Sequence, residues 1–200
     1  SMLALHGLSD ATMGFVARSA VRSSLIIFCF AFGASPLHRL FPGPATRWIL
    51  EHRRYLGFCV FLSHTLFVGS NVSRVFLFYD GDFLHRSPPS VWIYGGGTYL
   101  FVVLMGLTSF PATARLIGPR AWRALHWFGG YTLLIGFIYS YAPRALHATR
   151  YVPLGLLAAA LGLLRFAAFV KGKRILSPAV LGAVAFWVAG ALTAQCNQIP

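Results

Sequence analysis

This sequence predicts an all-α integral membrane protein, one domain over residues 1–200 built as a bundle of six transmembrane helices. Three observations carry that expectation. Of the 200 residues, 57% are hydrophobic and 10% charged, with a mean hydropathy of +0.67; a soluble domain carries about 25% charged residues. Six apolar stretches each approach the roughly 20 residues that cross a bilayer as a helix. The basic residues concentrate in every second connection, as in membrane-protein loops.

The stretches, A to F, run at about 12–34, 55–78, 91–110, 122–142, 151–170 and 178–195. Proline marks their ends, because its ring removes a backbone N–H and breaks helix interiors. Pro36, Pro42 and Pro44 follow A, Pro88 and Pro89 precede C, and Pro111 and Pro119 separate C from D. Pro143 follows D and Pro178 opens F, while Pro153 falls in the first turn of E, where proline is tolerated. No repeat, heptad or low-complexity segment stands out.

The connections set the expected orientation. The A–B connection holds Arg39, Arg47, Arg53 and Arg54; C–D holds Arg115, Arg120 and Arg123; E–F holds Arg165, Lys171, Lys173 and Arg174. Against these eleven stand six on the other side: Arg18, Arg22, Arg74, Arg86, Arg144 and Arg150. The excess predicts that A–B, C–D and E–F face the cytoplasm and that both termini face outward. Asp80 and Asp82 fall outside and weigh little in orientation.

Composition also excludes several functions. A net charge of +13 suggests nucleic acid only where the charge clusters on a soluble face; here it lies between apolar runs, so no nucleic-acid binding is expected. Cys29, Cys59 and Cys196 are far apart, which predicts neither disulfide nor zinc site. Residues 1–14 lack a basic region followed by an apolar core, so no cleavable leader is expected there. Gly95-Gly96-Gly97 opens a membrane helix and follows no strand, so no nucleotide or flavin module is expected. The acidic residues are Asp10, Glu51, Asp80 and Asp82; none lies deep in a span, leaving no carboxylate pair for hydrolysis.

Ionisable residues inside spans are the candidate functional groups. Of seven histidines, only His64 in B and His126 in the first turns of D fall on spans. B and D run parallel, so two imidazoles are available to one iron between them, or each serves as an ordinary packing residue. Gly57 lies two turns before His64 on its face, and Gly129 and Gly130 follow His126 on its own; such glycines either leave room for a macrocycle or let helices pack closely. From Arg54, His64 is ten residues into B, and from Trp122, His126 is four into D, a depth difference of roughly 9 Å. Arg18 and Arg22 either pair with haem propionates or snorkel to the interface. Trp92, Trp122 and Tyr151 suit an interfacial belt.

Ser35-Pro36-Leu37-His38-Arg39 followed by Arg53-Arg54-Tyr55-Leu56-Gly57-Phe58 resembles the ferric reductase-like transmembrane superfamily. The nearest likeness is to the haem-binding membrane subunits of bacterial methionine sulfoxide reductase systems. It continues through Leu107-Thr108-Ser109, Arg115-Leu116-Ile117-Gly118 and Trp122-Arg123-Ala124-Leu125-His126. The resemblance implies a ferric reductase-like bundle in the bacterial inner membrane, with a b-type haem (haem b) passing electrons to a partner membrane or periplasmic subunit. It implies His64 and His126 as haem ligands, with Arg22 beside the cofactor. The family histidine one turn beyond His64 is Phe67 here, and the one thirteen residues beyond His126 is Tyr139. Two functions follow as expectations. One is a b-type haem electron-transfer subunit of an oxidoreductase; the other is a haem-free structural or accessory subunit of a larger membrane complex.

Overall fold

The computed structural model describes residues 9–79 and 89–172, together with 182 and 186. Span F lies outside these apart from Gly182 and Phe186, both helical; His6, Asp80, Asp82, His85, Arg86, Lys173, Arg174 and Cys196 lie outside as well. Among the described residues five long helices follow one another: α1 (Asp10–Leu40), α2 (Pro44–Phe78), α3 (Pro89–Leu107), α4 (Pro111–His147) and α5 (Val152–Lys171), with a 3-10 turn at Thr149–Tyr151 before α5. No strand occurs among the described residues. Asp10–Leu40, Pro44–Phe78 and Thr149–Lys171 are long and apolar enough to cross a membrane. Ile93–Leu107 and Pro111–His147, bent by 116° where they meet, add a fourth span if the pair counts as one. The chain is an integral membrane protein.

Helices α1, α2 and α4 overrun the predicted spans. α1 has 31 residues and α2 has 35, roughly 46 Å and 52 Å against a hydrocarbon core of about 30 Å. Hydropathy locates the stretch inside lipid, whereas backbone hydrogen bonding carries each helix further into the interface. Pro36 and Pro143 accordingly sit inside α1 and α4 and do not end them. Pro44 and Pro111 open helices from the first turn, where their missing N–H is not needed. The expected A–B loop shrinks to residues 41–43, and Arg39, Arg47, Arg53 and Arg54 stand on helix. Within α4 the break falls at Gly118, whose φ of 75° suits a residue without a Cβ.

Contacts at both ends fix the topology. α1 and α2 are antiparallel: Arg53 Nη1 donates to Ser35 Oγ at 3.1 Å near the α1 end, and Arg74 pairs with Asp10 at 2.8 Å near its start. α4 runs against α1, with Phe28 on Phe137 and Phe32 on Tyr131. α5 runs parallel to α1, from Tyr151 beneath Arg22 to Arg165 beside Phe32. The junctions α1–α2 and α3–α4 therefore lie at one end of the bundle with the end of α5. This is the basic end. The core between the helices holds Leu25, Phe28, Val60, Val102, Leu133 and Phe137. Small residues allow close approach: a Cβ on Gly106 would come 2.5 Å from Phe61, and one on Gly33 3.2 Å from Leu161.

Candidate functional site

A cavity of about 800 Å³ opens at the basic end between all five helices. On α2 its wall runs from Leu50 to Phe61, a depth of roughly 16 Å. The floor is formed by Phe28, Val60, Val102 and Leu133, all buried. The mouth carries Glu51, Arg53, Arg54 and Arg123, all exposed. Gly57 also lines it and has open space before it, with no atom within 4 Å of a Cβ placed there.

His126 faces this cavity, stacked on Trp122 with centroids 4.2 Å apart. Its Nε2 lies 3.2 Å from Thr108 Oγ1. The Thr108 hydroxyl has one hydrogen, which it gives to the Leu104 carbonyl at 2.7 Å. It therefore accepts from His126, and the network assigns the proton of that imidazole to Nε2. Trp122 Nε1 donates to the Thr108 carbonyl at 2.9 Å, which ties α4 to the end of α3.

His64 sits elsewhere. It is 7% exposed and does not line the cavity. Its Nδ1 is 3.1 Å from the Oγ of Ser24, itself fully buried, which makes a polar α1–α2 pair inside the core. Phe67, Tyr99 and Phe137 surround the ring at centroid distances of 5.4–6.4 Å. Arg22 is also off the cavity, its guanidinium 5.9 Å from the Tyr151 ring centre.

The structure thus separates the three expected cofactor residues. Two axial nitrogens on one iron stand about 4 Å apart. Here the two imidazoles share neither a cavity nor a ring neighbour. Gly129 and Gly130, expected to leave room for a macrocycle, are filled by Met105 and Phe32 respectively: a Cβ on Gly129 would come 2.8 Å from the Met105 sulfur. A haem held by His64 and His126, with Arg22 on its propionates, does not fit this arrangement.

The residue that sequence reasoning misplaced is Arg165. Expected in the E–F connection, it lies inside α5 and lines the cavity. Its Nη2 donates to the Phe32 carbonyl at 2.6 Å, and its Cζ lies 3.4 Å from the centre of the Phe32 ring. The signal was present, since Arg165 falls five residues inside the end of span E.

Comparison with protein-family models, curated proteins and solved structures finds no match.

Proposed function

We propose that this chain is a haem-free accessory subunit of a larger membrane assembly, with the basic cavity as its working site. The bundle is of the ferric reductase-like type in the bacterial inner membrane, completed to six spans by the 178–195 stretch. Its arginine-rich end faces the cytoplasm, a reading supported by the distribution of basic residues. One observation carries the reading. His64 lies in the core against Ser24 and off the cavity, whereas His126 lines it, so the two imidazoles do not face one shared space. An electron-transfer subunit needs a redox group between donor and acceptor; here the buried His64 fastens α1 to α2, and His126 fastens α4 to the end of α3.

An accessory subunit acts through its partners. Extraction from native membranes in a mild detergent, followed by light scattering, should recover the chain in a particle well above its 21.9 kDa mass plus detergent. A stable lone monomer would contradict the accessory role.

A further inference from the structure

The cavity joins two chemistries in one space. Its floor is apolar and buried, while its walls and mouth carry Arg39, Arg53, Arg54, Arg123 and Arg165 against the single carboxylate of Glu51. Among the described residues the one ion pair is Asp10–Arg74, at the opposite end, so none of the five arginines is neutralised by a carboxylate there. Arg39 and Arg53 spend one N–H each on Ala168 O and Ser35 Oγ. Arg165 is the most demanding. Its Nη2 is used on Phe32, but its Nε is shut from solvent and has no hydrogen-bond partner among the described residues. Leaving that one N–H unpaired is costly, and the Phe32 and Tyr131 rings, 3.4 and 5.5 Å from the Arg165 Cζ, offset part of the cost of the shielded charge.

We propose that the cavity binds one anionic phospholipid, its phosphate held by Arg165 and the rim arginines and an acyl chain lying on the apolar floor. The inference rests on the haem-free reading, which leaves the cavity to another ligand. Both halves of the site select this class. Five guanidiniums facing one carboxylate favour an anion over a neutral lipid, and basic pockets between membrane helices at the cytoplasmic side recurrently take such headgroups. The floor of Phe28, Val60, Val102 and Leu133 favours a chain-bearing anion over free phosphate, which would leave that surface wet. The volume lies within the range of about 300–1,000 Å³ typical of ligand pockets. The depth of roughly 16 Å is about half the hydrocarbon core, the reach of one leaflet.

The test uses the full chain, purified in mild detergent, stripped of lipid and titrated with phosphatidylglycerol, phosphatidylcholine or inorganic phosphate. Native mass spectrometry and the unfolding temperature are the readouts. Expected is one phosphatidylglycerol per chain, bound about tenfold or more tighter than phosphatidylcholine, with no stabilisation by inorganic phosphate at the same concentration. Arg165→Met should weaken phosphatidylglycerol about fivefold or more. Arg74→Met, at the far end, should leave it unchanged. Gly57→Trp removes no charge but fills the space before Gly57, and should displace the lipid from a folded protein. It carries the test alone should Arg165→Met fail to fold. Equal binding of both lipids, stabilisation by phosphate alone, or indifference to Gly57→Trp overturns the proposal. The absorption spectrum of the same preparation is read separately: bound haem overturns the underlying reading, whereas a haem-free chain blind to phosphatidylglycerol overturns the lipid proposal alone.

Discussion

Arg165 on α5 donates to the Phe32 carbonyl on α1 at 2.6 Å, the carbonyl that Pro36 cannot bond. A residue four places after Phe32 would normally supply its N–H, and proline has none. The α1 helix continues through Pro36 to Leu40, and the α5 guanidinium supplies a donor from outside. This is the usual way a membrane helix tolerates an interior proline, and it ties α5 to α1 beside the cavity.

The relationship predicts coupling. Arg165→Met should cost about 1.5–3 kcal/mol, the range for a charge-assisted hydrogen bond. Pro36→Ala restores a backbone donor to Phe32, so Arg165→Met should cost roughly 1 kcal/mol less in that background. Unfolding in detergent for the four members of the cycle measures the difference. Simple additivity would show that Arg165 does not serve the Pro36 gap.

The Ser24–His64 pair predicts a second cycle. Ser24→Ala should destabilise by about 0.6–2 kcal/mol, as for other interhelical hydrogen bonds in membranes. With His64→Leu already present, Ser24→Ala should cost little, because no buried nitrogen then loses its partner. Equal cost in both backgrounds would show that the bond carries no weight.

Two glycines on neighbouring faces should respond oppositely. At Gly106 an added methyl meets the Phe61 ring, and Gly106→Ala should cost about 1–3 kcal/mol by overpacking. At Gly57 the methyl enters open space, and Gly57→Ala should stay within about 0.5 kcal/mol of the parent protein. Thermal unfolding of the two variants side by side checks this. A large loss at Gly57 would mean that its wall of the cavity is closed.

The sequence showed some features directly and concealed others for physical reasons. Span E, 151–170, and α5 nearly coincide because a first-turn proline and a terminal lysine bound the helix where the hydrocarbon ends. A, B and D were read short: apolarity reports lipid contact, while the helices run on through Arg39, Trp48 and Arg144. Pro36 misled because the donor that rescues it comes from α5, 129 positions along the chain. Both histidines were visible as ionisable residues within spans. Their partners were not, because Ser24 and Thr108 are ordinary hydroxyls until α1 meets α2 and α3 meets α4. Arg165 was counted as a boundary charge, although its position inside span E marked it as a residue needing a buried partner.

Orientation is open to chemical labelling. In a cysteine-free background, single cysteines at positions 44, 118 and 173 should all react with a membrane-impermeant maleimide only after the cells are opened. Labelling of any one of them in intact cells would break the six-span topology.

One absorption spectrum decides whether the imidazoles of His64 and His126 are structural and carry no haem. The chain is expressed with ample haem and its natural partners, purified, and measured oxidised and dithionite-reduced. No Soret band is expected from this chain, and the spectra of His64→Leu and His126→Leu should be indistinguishable from that of the parent. A stoichiometric Soret band that is lost or shifted on replacing His64 or His126 would contradict it.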